Sequence, residues 1–135
     1  VWRGIKDNPW LGSAKDVVLR YLPAPGENAQ TCGPGPFSMA DTGVVTKQLE
    51  IAGYKDIKFE QVDAQVFVGK DLDDAVGFQL AIGPAGEVYR EAGKLAEQRH
   101  EEVAMALKAQ LAKYKGPNGV MMDSSSWKVT ARNPG

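Results

Sequence analysis

Hydrophobic positions in the first part of the chain recur at helical spacing. Asn8 and Pro9 predict a helix start. An Asn side chain accepts hydrogen bonds from the unpaired amides of a first helical turn, and Pro at the first helical position lacks only an amide hydrogen that would have no partner in the helix. The helix is predicted to end before Pro23. Its apolar stripe consists of Trp10, Leu11, Ala14, Val17, Val18, Tyr21 and Leu22. Residues 1–5 carry three apolar side chains and are interpreted as the end of a strand.

Aspartates mark the starts of two further helices. Asp41 predicts the N-cap of a helix over residues 41–52, and Gly53 suits the left-handed position after its end. Asp71 predicts the cap of the next helix, whose first turn holds two more acidic side chains where the helix dipole favours negative charge. Gly and Pro at positions 83–84 interrupt this pattern, and a second helical run is expected after them.

The second half of the chain mixes one long helical pattern with two alternating ones. Residues 94–115 predict a single continuous amphipathic helix. Alternation over residues 56–68 predicts one or two strands with a break near Asp63. A half-buried strand is predicted over residues 126–132, and the serines at positions 124–126 are interpreted as a polar turn before it.

The predicted elements amount to about four helices and two to three strands. They indicate an α/β fold class, or α+β if the chain is an isolated fragment. The chain has 135 residues, which predicts one domain over residues 1–135. Residues 23–36 hold four of the eight prolines and no periodic pattern, so we expect a Pro/Gly-rich loop that serves as a cover or a mobile segment.

Charge and cysteine usage exclude several classes of partner. Sixteen basic and 17 acidic residues leave a formal net charge of -1, so the chain has no overall positive potential that would attract nucleic acid or anionic lipid. No apolar stretch reaches membrane-spanning length, and no secretion signal is visible. Cys32 is the only cysteine of the sequence and His100 the only histidine, which argues against an internal disulfide and against a zinc or iron centre. These observations predict a cytoplasmic, metal-free protein without a nucleic-acid or membrane partner.

Candidate catalytic groups occur as isolated residues. Gly33 and Gly35 superficially resemble a phosphate-binding loop, but the prolines beside them have no amide to donate. The aspartates that follow Lys70 resemble the start of a calcium loop, yet Val76 stands where that loop requires glycine, so helix capping explains them better. His100 has no nucleophile near it in sequence. The catalytic residues therefore stay unassigned.

Aromatic side chains near the first helix and the loop provide a different signal. An aromatic at the end of a strand, together with others that flank a proline-rich loop, is able to line a pocket for an apolar or planar ligand. Core packing is the competing interpretation, because aromatics are mostly buried for their area alone. The residues concerned are Trp2, Arg3, Trp10 and Phe37.

The order of these segments resembles the C-terminal half of a class I S-adenosylmethionine-dependent methyltransferase. The resemblance rests on VWR, on NPW at a helix start, on GPFSMAD at the end of the loop, on IAGYKDIKFEQVD and on SSSWKVTARN. It implies part of a doubly wound Rossmann-like sheet, in which residues 1–3 end the fifth strand. Residues 56–68 and 126–132 would then be the last two strands, with the last one antiparallel to the rest.

The resemblance also implies a function for the chain. It would be the acceptor-side portion of an enzyme that methylates a small-molecule substrate. The substrate-binding residues implied are Trp2, Arg3, Asn8 and Trp10, with Phe37 and Met39 on the covering loop. Methyl transfer depends on positioning and on the exclusion of water, which a mostly aromatic wall suits.

The S-adenosylmethionine site belongs to the half of the family that this chain does not match. Four missing βα steps would amount to about 120 residues ahead of Val1, so we expect no cofactor binding by this chain alone. An exposed sheet edge would favour pairing with a second copy as a homo-oligomer. The alternative is a small, non-catalytic α+β module that binds an apolar ligand or a protein partner.

Overall fold

The computed structural model describes residues 1–26 and 34–135, in which six helices and three strands are arranged as an α+β fold. The helices are α1 (Pro9–Val18), α2 (Thr42–Ile51), α3 (Leu72–Ala81), α4 (Gly83–Ala92), α5 (Lys94–Gln98) and α6 (His100–Leu111). The strands are β1 (Lys55–Gly69), β2 (Lys115–Gly116) and β3 (Gly119–Arg132), and short 3-10 turns span Ile5–Asp7 and Ala112–Tyr114. Part of the predicted loop, with Cys32 and Gly33, lies outside the described residues.

A long antiparallel pair of strands, β1 and β3, forms most of the sheet, and β2 pairs antiparallel with the start of β3. The pairing passes without interruption through Asp63 opposite Ser125 and Ala64 opposite Ser124. The predicted break near Asp63 is therefore wrong, since the cross-strand partners keep the ladder intact there. The predicted polar turn at positions 124–126 is also wrong, because these serines lie in the middle of β3.

The N-terminal segment (residues 1–3) pairs with the other edge of β3. Trp2 lies opposite Ser126 in an antiparallel bridge. The Arg3 amide donates to the Ser125 carbonyl at 3.0 Å, and the Trp127 amide donates to the Val1 carbonyl at 2.8 Å. Since β3 is antiparallel both to this segment and to β1, those two run parallel to each other with β3 between them. The last strand is antiparallel, as predicted.

Two of the predicted helix starts have the expected side-chain caps. The Asp41 carboxylate accepts from the amides of Gly43 and Val44 at 2.8 and 3.1 Å. Asp71 accepts from the Asp74 amide at 2.8 Å. These local bonds satisfy amides that have no partner within the first turn of a helix, so both caps are confirmed.

Helix α1 begins at Pro9 as predicted, but Asn8 does not cap it with its side chain. The Asn8 amide group instead points into the protein and bonds to β3. The helix ends at Val18, and hydrogen-bonded turns continue the chain to Leu22. The prediction of a helix up to Pro23 was therefore too long by one turn.

The predicted helix over residues 94–115 is interrupted, and α5 and α6 meet at Arg99. The Arg99 guanidinium donates to the Tyr21 carbonyl at 2.7 Å and lies 5.5 Å from the centre of the Tyr21 ring. It also pairs with Glu102 at 2.8 Å. The turn at Arg99 brings these partners together, so tertiary contacts override a sequence with good helical periodicity.

The core lies where α1, α3, α4 and α6 cover one end of the β1 and β3 pair. Its buried side chains are Ala14, Val17, Val18, Leu22, Val68, Ala75, Val76, Leu80, Ala85, Val88, Ala96, Val103, Leu107, Leu111, Val120 and Met122. The opposite end of β1 is largely exposed. The fold therefore leaves the middle of the sheet, beside the N-terminal segment, at the border between core and solvent.

Candidate functional site

Asn8 connects the N-terminal segment, α1 and β3 from a fully buried position. Its Nδ2 donates to the carbonyls of Ser125 at 2.9 Å, Gly4 at 3.1 Å and Arg3 at 3.3 Å. Its Oδ1 accepts from the Ser125 amide at 2.9 Å and from Trp10 Nε1 at 3.2 Å. With its polar atoms bonded inside the protein and no exposed surface, Asn8 positions the residues around it.

An aromatic cluster covers the face of the sheet on which Trp2 lies. The ring centres of Trp2 and Trp10 are 5.2 Å apart, and those of Trp10 and Phe78 are 6.3 Å apart. Gln79 donates from its side chain to the Trp10 carbonyl at 2.7 Å, which ties the cluster to α3. The three rings form a continuous, partly exposed apolar wall across the N-terminal segment, α1 and α3.

A polar network lies on the opposite face of the sheet, because Arg3 and Trp2 are adjacent in an extended strand and point to opposite sides. Arg3 donates to the Ser125 hydroxyl at 3.1 Å, and that hydroxyl donates to the Asp63 carboxylate at 2.5 Å. The Arg3 guanidinium also lies 5.0 Å from the centre of the Trp127 ring. Three chain segments thus place a cation, a hydroxyl, a carboxylate and an indole ring side by side.

Hydrogen bonds lower the pKa of the Asp63 carboxyl below its usual range. The largest cause is the Ser125 hydroxyl, followed by the amide of Gln61, and the positive charge of Arg3 adds to both. Each of these partners stabilises the ionised form. The network therefore holds a carboxylate at neutral pH, next to a guanidinium that offers further donors.

The end of the loop reaches this network through Trp127. The indole Nε1 of Trp127 donates to the Ala40 carbonyl at 3.0 Å, directly before the cap of α2. Phe37 and Met39 lie in the turn just before it, and Met39 is 39% exposed. Within the described part of the chain, no hydrogen bond or ring contact joins these two side chains to Trp2, Arg3, Asn8 or Trp10.

Six residues were implied by the resemblance as substrate-binding. The structure places Trp2 and Trp10 on one face of the sheet, Arg3 on the opposite face and Asn8 buried beside them, with Phe37 and Met39 on the adjacent loop end. Sequence reasoning missed Ser125, Asp63, Trp127 and Phe78. Trp127 was assigned correctly to a strand, but its contact with Arg3 depends on the pairing of β3 with the N-terminal segment. No signal in the local pattern identifies that pairing.

A separate groove of about 490 Å³ runs between α3, α4 and α6. At one end, Tyr89 and His100 share a hydrogen bond of 2.7 Å between the phenol oxygen and Nδ1. At the other end, Lys108 pairs with Asp73. Burial raises the pKa of the Tyr89 phenol, with a further contribution from Glu97, so Tyr89 is protonated at neutral pH.

Neither the models of known protein families nor the curated proteins match this chain. Within residues 1–26 and 34–135, no helix has the length and apolar character needed to cross a bilayer. The same residues hold no group of three or more His, Cys, Asp or Glu side chains placed to bind a metal ion. The site is therefore interpreted from its own geometry.

Proposed function

We propose that this chain is the acceptor-side portion of an S-adenosylmethionine-dependent methyltransferase that acts on a small molecule. The observation that carries this proposal is the parallel relation between the N-terminal segment and β1, with antiparallel β3 between them. Parallel strands require a crossover connection, and here it contains α1 and α2. A largely parallel sheet with one antiparallel strand is common among doubly wound folds.

The placement of the helices on the sheet supports the same proposal. Helix α1 lies on the Trp2 side, where the Trp10 ring packs. Ala40, which precedes the Asp41 cap of α2, bonds to Trp127 on the opposite side of the sheet. Helices near both faces are what a doubly wound sheet requires.

Doubly wound sheets bind ligands outside the carboxyl ends of their parallel strands. The candidate site meets this expectation at the end of the N-terminal segment, but it lies beside the middle of β1. Arg3 ends the N-terminal segment, with the aromatic wall on one face and the Asp63 carboxylate on the other. In the proposed function, Trp2 and Trp10 exclude water on one face of the sheet, and Arg3 orients a polar group on the opposite face. Asn8 is a positioning residue, because it contacts the backbone on both sides of the site.

Within residues 1–26 and 34–135, the turn between β1 and α3 does not fit S-adenosylmethionine. One strand-to-helix turn in the described chain, between β1 and α3, uses its amides internally: Lys70 donates to the Asp74 carboxylate at 2.9 Å, and Asp74 donates to Asp71. A Cβ at Gly69 would also lie 2.5 Å from the Ala75 amide nitrogen, so the backbones of β1 and α3 pack closely against each other at this turn. We therefore assign the cofactor to another part of the enzyme and derive no catalytic step through it.

Two measurements test the proposal. Calorimetric titration of the 135-residue chain with S-adenosylmethionine is expected to show no saturable heat, and saturable binding would contradict the assignment of the cofactor site. The reading frame that encodes this chain is expected to encode, upstream of Val1, a strand followed by a glycine-rich turn and a helix. The product of that frame should bind S-adenosylmethionine, and its failure to do so would overturn the methyltransferase proposal.

A non-catalytic binding module is the second candidate. Exposed apolar side chains favour it, since Ile51 is 78% exposed, Met105 72% and Phe67 56%. A start codon directly before Val1 would favour this candidate over the methyltransferase. In either case we propose a cytoplasmic protein, as the single cysteine and the charge balance predict.

A further inference from the structure

The groove between α3, α4 and α6 combines an apolar floor with a polar pair at one end. Side chains of α3 and α6 line its two sides, and Tyr89 of α4 closes one end. Its lining includes Val76, Gly77 and Leu80 of α3, and Ala104 and Met105 of α6. Its volume of about 490 Å³ lies in the range of small-molecule sites, roughly 300–1,000 Å³.

The groove is open above Gly77. A Cβ built on this residue would meet no atom within 4 Å, although Gly77 lies inside a helix next to buried Val76. Met105 projects at the rim with 72% of its surface exposed. A flexible thioether makes favourable contacts with aromatic rings, so these residues are suited to a flat apolar body that lies over Gly77.

The Tyr89 and His100 pair offers both a donor and an acceptor. If the phenol donates to Nδ1, the phenol oxygen still accepts and Nε2 carries a proton; if Nδ1 donates to the phenol oxygen, the phenol still donates and Nε2 accepts. In either tautomer the pair matches a group that is itself donor and acceptor. A hydroxyl group is the smallest group of this kind.

We propose that this groove binds a small aromatic molecule with a hydroxyl group. The ring lies over Gly77 against Ala104 and Met105, and the hydroxyl bonds to the Tyr89 and His100 pair. Asp73 and Lys108 form an ion pair at the far end, which limits the length of the ligand. Binding here does not depend on methyl transfer, since the groove shares no lining residue with the Trp2 and Arg3 site.

Two matched probes, 4-ethylphenol and 4-ethylanisole, test the hydroxyl directly. Titrations of the 135-residue chain are followed by amide and methionine-methyl NMR signals at millimolar probe concentrations. We expect chemical-shift changes confined to α3, α4 and α6. We also expect 4-ethylphenol to bind about 2- to 10-fold more tightly than 4-ethylanisole, which corresponds to the net free energy of one hydrogen bond. Equal affinity of the two probes, or shifts centred outside these helices, would overturn the proposal.

Three variants separate the hydrogen bond from the groove. Tyr89→Phe is expected to reduce the affinity for 4-ethylphenol more than that for 4-ethylanisole, because the phenol bonds to Tyr89 in both tautomers and the ether in only one of them. Gly77→Leu fills the open space and is expected to remove binding of both probes. Tyr54→Phe, on a partly exposed tyrosine outside the groove, should change neither affinity. Thermal unfolding of each variant verifies that it is folded, and unaltered binding in Tyr89→Phe or Gly77→Leu contradicts the proposal.

Discussion

Asn8 is fully buried, and its amide group joins α1 and β3 to the backbone of the N-terminal segment. A buried donor or acceptor that loses its partner costs more than an average hydrogen bond contributes, because the group left behind has no water to bond. Replacing Asn8 would leave the Ser125 amide and the Trp10 indole without their acceptor. Individual polar residues of this kind determine whether the candidate site keeps its shape.

We expect Asn8→Ala to lower the free energy of unfolding by about 3 kcal/mol, since it breaks several buried hydrogen bonds at once. Urea denaturation followed by tryptophan fluorescence measures this change. The control is Asn133→Ala, at an exposed position near the end of the chain, for which less than about 0.5 kcal/mol is expected. Equal losses in the two variants would contradict the bonding described for Asn8.

The lowered pKa of Asp63 predicts a dependence of stability on acidity. A carboxyl whose pKa is lower in the folded state stabilises the protein at pH values above its pKa in the unfolded state, about 3.9. This stabilisation is lost as the pH falls through the pKa of the folded state. NMR titration of the carboxyl carbon should find Asp63 below the usual aspartate range. Ser125→Ala is expected to raise that pKa, because it removes the largest cause of the shift, while Lys128→Ala is expected to leave it unchanged. A titration of Asp63 unaffected by Ser125→Ala would refute the network.

At the scale of elements, caps and glycines decide where helices and strands turn. Gly119 begins β3 with a φ of +96°, and a Cβ on it would lie 2.6 Å from the Gly69 carbonyl oxygen. Gly77 has helical backbone and open space where a Cβ would be. Gly119 is therefore required by its positive φ and by the close approach of Gly69, whereas neither condition applies to Gly77.

The same substitution should therefore have opposite effects at these two glycines. We expect Gly119→Ala to destabilise the protein by about 2 kcal/mol, from backbone strain and the close approach of Gly69. Gly77→Ala is expected to stabilise it by about 0.5–1 kcal/mol, because alanine loses less conformational freedom in a helix. Thermal unfolding of both variants measures the difference, and effects of the same sign would contradict it.

At the scale of the whole molecule, the sheet has an open edge at the N-terminal segment. Trp2 and Ser126 form a pair without mutual hydrogen bonds, so the Trp2 amide and carbonyl point away from β3. The outer edge of β1 carries several charged side chains, among them Lys55 and Lys58, which disfavour pairing. The edge at Trp2 is therefore the one proposed to receive another strand, from the rest of the enzyme or from a second copy.

We expect the isolated 135-residue chain to dimerise through this edge, which light scattering after size-exclusion chromatography would show. Hydrogen exchange of the Trp2 amide should slow as the protein concentration rises, because the dimer supplies its acceptor. The Arg3 amide is an internal control, since it bonds to Ser125 at any concentration. A monomer at all concentrations, or a Trp2 amide that exchanges equally fast throughout, would contradict the edge proposal.

The sequence by itself determined the features that depend on neighbouring residues. The caps at Asp41 and Asp71, the helix start at Pro9 and the alternation of β1 and β3 follow from bonds and spacings within a few positions. The class of fold follows from the order of these elements.

Tertiary structure decided the rest, because strand pairing and burial depend on residues far apart in the chain. Ser125 is separated from Asn8 by 117 positions, and the two residues are joined by two buried hydrogen bonds. Asn8 therefore bonds to β3 instead of capping α1 with its side chain, and Ser125 lies in the middle of a strand instead of in the predicted turn. The predicted continuous helix is interrupted at Arg99, whose guanidinium bonds to the Tyr21 carbonyl 78 positions earlier in the chain. The groove and the Tyr89 and His100 pair likewise exist only where three helices meet, so no local pattern predicts them.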